Sequence, residues 1–273
     1  MRKSDFVPPI LHKMISGYFR FGSVYGWSGN YKSWRDALKD SSGYDSIGIV
    51  EKVKDALLKV KKGEAVYERD SVLFDKIEYS WPLLAGLLWV ASREGRLNIL
   101  DFGGSLGSSY FQNIKFLNKV KDFRWNVVEQ GIFVKYGREY FEDEVLSFYD
   151  DAAQCYQHQK PNVVLFSCVL QYMERPYQTL ESVFKFSPEY IIVDNMPFIE
   201  TEQRITLQRV PPSIYSASYP CWMLNRTEFL RFFQNDYDII TDFISPLSIK
   251  VDSKIIPYQG FIFKKKQNSV AND

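Results

Sequence analysis

The sequence predicts an α/β fold: a mostly parallel sheet with helices on both faces, finished by a C-terminal antiparallel strand and preceded by an N-terminal extension. Three observations carry that expectation. From Leu97 onward, short apolar runs alternate with segments of helical spacing, the pattern of successive β-α units. A glycine-rich turn, D-F-G-G-S-L-G from Asp101 to Gly107, joins the first of these strands to its helix. The last two strand-like runs, Tyr237 to Ile244 and Tyr258 to Phe263, have no helix between them and read as an antiparallel ending joined by a Pro- and Ser-containing loop.

Composition narrows the class. With 273 residues, 45% hydrophobic and 16% aromatic, the chain can bury a sizeable core, and one domain plus an extension is the default. A net charge of +1 and a pI near 7.6 give no basic field, so nucleic acid is not expected as a partner. The triple Lys264, Lys265, Lys266 reads as a solvated strand end. Cys155, Cys168 and Cys221 are odd in number and far apart, which argues against zinc or a disulfide framework and for a reducing, cytoplasmic setting. The opening M-R-K-S-D-F-V-P-P lacks an apolar signal core, and the apolar run Trp81 to Ala91 is too short to span a bilayer.

Residues 1–95 form the extension. Its aromatic and glycine-dense piece G-Y-F-R-F-G-S-V-Y-G-W-S-G-N-Y reads as an irregular segment packed onto the rest, a candidate lid. Ile49, Val53, Ala56, Leu57 and Val60 follow helical spacing up to Gly63, and Tyr79 to Arg93 gives a second helix with Pro82 in its first turn.

Residues 96–266 form the main domain. Leu97, Ile99 and Leu100 make a buried strand ending in Asp101, and Gly103, Gly104 and Gly107 allow left-handed torsions and a ligand against bare main chain. Unpaired amides of the next helix, Ser105 to Lys119, favour a carboxylate or phosphate there, so Asp101, Gly103, Gly104, Ser105 and Gly107 are the first cofactor candidates. Tyr110, Gln112 and Asn113 in that helix are expected to face the ligand. Trp125 to Glu129 is the second strand, Phe133 to Phe141 a helix, and Val145 to Phe148 the third strand, followed by Asp150 and Asp151.

Asn162 to Ser167 is the fourth strand, and Tyr190 to Asp194 the fifth. Ligands of open α/β sheets sit beyond the carboxyl ends of strands, which puts Ser167, Gln171, Tyr172, Asp194 and Asn195 near the chemistry. Residues 196–224 read as an inserted connection able to close over a substrate, with Tyr215, Tyr219 and Trp222 suited to stacking on a flat ligand or sugar face. Asn225 begins a helix with Glu228 as its capping partner, and 267–273 is a tail.

Two patterns choose the cofactor. A dinucleotide turn favours G-x-G-x-x-G with an acid about twenty residues on; here Glu129 lies 28 residues beyond Asp101. The turn instead resembles the first motif of class I S-adenosylmethionine-dependent methyltransferases. With W-N-V-V-E-Q, V-L-Q-Y and I-Y-S-A-S-Y-P-C-W, the chain from about Tyr67 to its last strand resembles a narrower group of bacterial methyltransferases encoded among surface-polysaccharide genes.

That resemblance implies a Rossmann-like class I sheet and S-adenosyl-L-methionine as cofactor. The glycine turn and Ser167 would approach the cofactor, Glu129 and Gln130 its ribose, and Asp150 its adenine amino group, although either Asp150 or Asp151 could instead cap a helix. The acceptor implied is a carbohydrate or other small hydroxyl compound, contacted by Gln171, Tyr172, Asn195, Tyr215, Tyr219 and Trp222. Asp194 is the first candidate for the base and His12 the second, while His158 falls at the far edge of the sheet. No metal is expected, because Ser167 stands where a second acidic ligand would be needed. An NAD-dependent oxidoreductase on sugar nucleotides, or a cofactor-binding module without turnover, are the other readings; a helix between the last two strands would favour the first of them.

Overall fold

The computed structural model of the chain describes residues 25–43, 46–212, 214–252 and 254–267, so His12 and the first part of the aromatic segment lie outside the described residues. In chain order the N-terminal part holds β1 (Gly26–Tyr31), α1 (Trp34–Lys39), α2 (Ser46–Lys61), β2 (Tyr67–Arg69), β3 (Val72–Phe74) and α3 (Trp81–Glu94). Then come β4 (Leu97–Phe102), α4 (Ser108–Leu117), β5 (Phe123–Val128), α5 (Gly131–Tyr140), β6 (Leu146–Tyr149), α6 (Ala152–His158), β7 (Val163–Ser167), α7 (Pro176–Phe184) and β8 (Tyr190–Ile199). The C-terminal part is β9 (Arg204–Val210), β10 (Ala217–Asn225), α8 (Arg226–Phe233), β11 (Tyr237–Val251) and β12 (Lys254–Lys265).

Five strands form a parallel half in the order β6-β5-β4-β7-β8. Helices cover both of its faces, so β7 and the start of β8 are apolar without alternation. On one face Ile99, Trp125, Leu165 and Ile192 pack against Leu83, Leu87, Phe133 and Val134 of α3 and α5. On the other, Leu100, Val164, Phe166 and Ile191 meet Cys155, Leu180, Phe229 and Phe233 of α6, α7 and α8. No described helix is long and apolar enough to cross a membrane.

The expected mostly parallel sheet is corrected to a mixed one. β12 runs antiparallel to both β8 and β11, and β9 runs antiparallel to both β1 and β10. β1 touches β11 at Trp27↔Val251, and β10 returns to β8 at Leu224↔Phe198 and Asn225↔Ile199. The six strands β8-β12-β11-β1-β9-β10 therefore close into a barrel, its interior filled by Cys221, Met223, Ile249, Val251 and Tyr258.

Three expectations change with it. The connection expected over 196–224 is largely β9 and β10, paired from Ala217↔Val210 to Met223↔Arg204, with Pro220 opposite Leu207. β1 lies inside the sheet, so residues 26–31 are neither irregular nor part of a separate extension. The last two strands extend much further than expected, through Ser248↔Pro257 to Val251↔Lys254, as one hairpin without an intervening helix.

Long strands can serve both sheet and barrel only if they bend. β8 does so at Asn195, whose φ of 56° is left-handed in mid-strand. Facing it, β12 shifts register between Gln259 and Phe261. A Cβ at Gly260 would strike the Phe243 ring and come within 2.6 Å of the Val193 carbonyl oxygen, so this position has no room for a side chain.

Candidate functional site

The switch point of the parallel half lies between β4 and β7, whose carboxyl ends open the crevice where such sheets bind ligands. The glycine turn rims it. Gly103 (φ 71°), Ser105 (φ 54°) and Gly107 (φ 93°) all take left-handed torsions, and Gly107 caps α4, which begins at Ser108 rather than Ser105.

The glycines are explained first by the chain's own packing. A Cβ on Gly103 would collide with Val169, and one on Gly104 would sit 2.5 Å from Asp101 Oδ2. Asp101 is thus beneath the turn, buried, accepting a 3.0 Å hydrogen bond from Trp125 Nε1. Burial, offset by the Trp125 bond and reinforced by the charge of Glu129, pushes its pKa up to about 7. It supports the turn from below. Gly103, Gly104 and Ser105 remain half-buried, leaving a strip of main chain at the crevice.

Glu129 follows β5 and turns toward that strip. Its carboxylate accepts from the Gln130 amide at 2.6 Å. Burial raises its pKa, against the lowering effect of the Gln130 and Ser105 amides, which places the Ser105 main chain of the glycine turn on the same side. Gln130 is exposed as the N-cap residue of α5. Asp151 caps α6 by accepting from the Gln154 amide at 2.8 Å, which leaves Asp150 uncommitted as a cap; it lies 3.4 Å from Arg138 and, through Oδ1, 3.6 Å from where a Gly131 Cβ would stand.

Ser167 and Asp194 are paired in register across β7 and β8. Asp194 is fully buried, with Ser80 Oγ donating to Oδ1 at 3.2 Å, and Ser167 Oγ at 3.2 Å and Asn195 Nδ2 at 2.7 Å donating to Oδ2. Burial raises its pKa to about 6 despite these donors. Asn195 accepts in turn from Ser245 Oγ at 2.7 Å, so the pair locks the bend of β8 to α3, β7 and β11.

The aromatics expected together are divided. Tyr172 donates to Gln208 Oε1 at 2.7 Å and meets Tyr219 edge-on at 5.3 Å, while the Tyr215 and Tyr219 hydroxyls lie 3.4 Å apart. Trp222 is three residues further along β10 and faces the other side of the strand, among Glu174, Arg175 and Gln203. Gln171 is buried, donating to Cys168 Sγ at 3.2 Å, and its Oε1 has no partner. Tyr110, Gln112 and Asn113, expected at the ligand, are buried instead: Tyr110 packs on Phe123 and Trp125, Gln112 bonds the Glu78 carbonyl, and Asn113 bonds Ser109 O. They hold α4 to the sheet. His158 is exposed at the end of α6, stacked on Tyr149.

One residue escaped the sequence reading. Glu68 in β2 is buried, with Oε2 accepting from Ser108 Oγ at 2.7 Å and Oε1 from the Ser71 amide at 2.7 Å. Burial pushes its pKa up to about 7. The start of α4, expected to attract a ligand's anion, already has a carboxylate at its first residue. Among the described residues no group of three or more His, Cys, Asp or Glu is arranged to hold a metal ion.

No protein-family model and no curated protein matches the chain. Solved structures do. The N-terminal domain of EvdMO1, crystallised in the presence of S-adenosylhomocysteine and D-fucose, is 13% identical, with 82% of this chain and 98% of that one covered and a TM-score of 0.46. A Burkholderia thailandensis 1,6-didemethyltoxoflavin-N1-methyltransferase with bound S-adenosylhomocysteine is 11% identical over 83% and 92%, TM-score 0.42. Magnesium protoporphyrin IX methyltransferase from Synechocystis PCC 6803, with bound S-adenosylmethionine, is 11% identical over 93% and 96%, TM-score 0.44.

Proposed function

We propose that the chain is an S-adenosylmethionine-dependent methyltransferase acting on a hydroxyl of a carbohydrate or similar small acceptor. The observation that carries the proposal is the Glu129 carboxylate at the end of β5, beside the half-buried main chain of the glycine turn. A carboxylate in that place can accept from both vicinal hydroxyls of a ribose.

The residues present fit this cofactor. Gly103, Gly104 and Ser105 offer half-buried main chain, Glu129 the ribose acceptor, and Asp150 a carboxylate next to the start of α5 for the adenine side. Bound there, the cofactor would supply an electrophilic sulfonium methyl. A dinucleotide fits the same place less well. A dinucleotide would bring its diphosphate to the first turn of α4, beside Glu68, and the C-terminal hairpin lacks the helix that a second dinucleotide half would bring.

In this reading Asp194 is a positioning residue. To take a proton from an acceptor it would have to shed Ser80, Ser167 or Asn195, so its contribution is to hold the crevice floor rigid. Thermal unfolding with S-adenosylhomocysteine or NAD, each at about 1 mM, tests the choice. S-adenosylhomocysteine is expected to raise the melting temperature and NAD to leave it unchanged; the reverse, or no shift with either, overturns the proposal.

A further inference from the structure

The tip of the β2–β3 hairpin carries two opposite charges side by side, Arg69 and Asp70. Arg69 pairs with Val72 across the hairpin, so Asp70 and Ser71 form a two-residue turn, and both take left-handed torsions, φ 52° and 66°, without a glycine. Glu68 holds this turn in place. One of its carboxylate oxygens accepts from the Ser71 amide and the other from Ser108 at the head of α4, which fixes the hairpin beside the glycine turn. Among the described residues Arg69 and Asp70 make no ion pair, with each other or with a third residue, and neither side chain has a hydrogen bond. Half-buried Arg69 has only the Phe74 ring, 5.4 Å from its guanidinium carbon.

Across from the tip is Cys168, directly after β7, its amide donating to the Asp194 carbonyl at 2.9 Å and its sulfur accepting from Gln171 Nε2 at 3.2 Å. The charges of both Asp70 and Arg69 reach its thiol, that of Asp70 more strongly. Val169, the next residue, lies against Gly103. The hairpin tip and the end of β7 thus face each other beside the bare main chain of the glycine turn. Solvent reaches both Asp70 and Cys168, yet the protein around them desolvates them enough to raise both proton affinities, as it does for groups on the walls of a cleft.

We infer that Arg69 and Asp70 form a clamp for a zwitterionic α-amino-acid group, Arg69 pairing with its carboxylate and Asp70 with its ammonium. A guanidinium fork matches a carboxylate through two parallel hydrogen bonds. Desolvated charges without partners are costly, and a ligand that carries both signs offsets both at once. A phosphate would meet Arg69 but be repelled by Asp70, and a simple amine the reverse. The inference rests on the proposed cofactor, whose methionine end carries this group, and adds charged partners where the glycine turn offers only main chain.

Calorimetric titration tests it, with S-adenosylhomocysteine and with methylthioadenosine, which keeps the adenosine and the sulfur but lacks the amino-acid group, each up to about 5 mM. S-adenosylhomocysteine is expected to bind about tenfold or more weakly to Arg69→Met and about threefold or more weakly to Asp70→Asn, while methylthioadenosine stays within about twofold of wild type in both. If methylthioadenosine binds no chain measurably, decarboxylated S-adenosylhomocysteine replaces it: wild type should bind it about tenfold more weakly than S-adenosylhomocysteine, and Arg69→Met should bind the two within about twofold. If Arg69→Met fails to fold, Asp70→Asn decides alone, since Asn accepts the left-handed turn. Unchanged S-adenosylhomocysteine affinity in the variants, or an equal loss of both ligands, overturns the clamp and leaves the cofactor reading standing. A wild type that binds neither ligand overturns the cofactor reading and the clamp with it.

Discussion

Asp101, Glu68 and Asp194 are carboxyls that the fold keeps from water, and burial raises their proton affinities to about 7, 7 and 6. Unfolded, each ionises in the usual carboxylate range near pH 4. Between about pH 4 and pH 7 the folded chain therefore holds more protons than the unfolded one, and stability is fullest at the acid end and falls as pH rises through that window. Asp101→Asn keeps an acceptor for Trp125 and removes one titration. Urea unfolding at pH 5 and pH 8 should show the variant gaining on the wild type with pH, by at most about 1.4 kcal/mol per pH unit; a difference that does not change with pH contradicts the assignment. Glu68 is a second residue-scale case. Glu68→Ala leaves the Ser108 hydroxyl and the Ser71 amide without their acceptor, at an expected cost of about 1–3 kcal/mol in urea unfolding, with Glu68→Gln recovering part of it. Equal stability of Glu68→Ala and wild type would remove the hairpin's anchoring role.

Among the elements, the barrel depends on bends more than on strands. Gly260 is where β12 turns under Phe243 against the β8 backbone, so Gly260→Ala should cost about 1–3 kcal/mol through overpacking, read as a lower urea midpoint. An unchanged midpoint would mean the bend has slack. The same elements mark how far the sequence could be read. β7 and the start of β8 were legible because strands buried on both faces are continuous apolar runs, β4 and β5 because Leu97, Ile99, Leu100 and Trp125, Val127, Val128 are apolar runs broken by single polar residues, and the Asp101–Gly107 turn because its glycines follow at once. β9 and β10 were not, although Ile205 and Leu207 alternate with Thr206 and Gln208: Pro211, Pro212 and Pro220 outweighed that short pattern, and Pro220 is tolerated within a strand all the same. The β2–β3 hairpin escaped for a different reason. Nothing local to Y-E-R-D-S-V-L-F says that Glu68 will meet Ser108, forty residues on, so that contact is set by packing alone.

At the scale of the molecule, a five-stranded parallel half supplies the crevice and a six-stranded barrel stands beside it, sharing β8. The shared strand bends at Asn195, directly after Asp194, so the floor of the crevice and the wall of the barrel are set by one pair of residues. Acids converge on the glycine turn from three separate elements, Glu68 from the hairpin, Asp101 from β4 and Glu129 from the end of β5, which no single sequence motif could disclose. In the proposed function, Glu129 and the Ser105 main chain together receive the ribose end of a sulfonium cofactor. Calorimetric titration of S-adenosylhomocysteine into the wild type and Glu129→Ala measures it most directly: saturable binding by the wild type, weakened by about tenfold or more in the variant, is the expected result. Absence of heat with the wild type at about 1 mM ligand, or the same affinity in both chains, would contradict it.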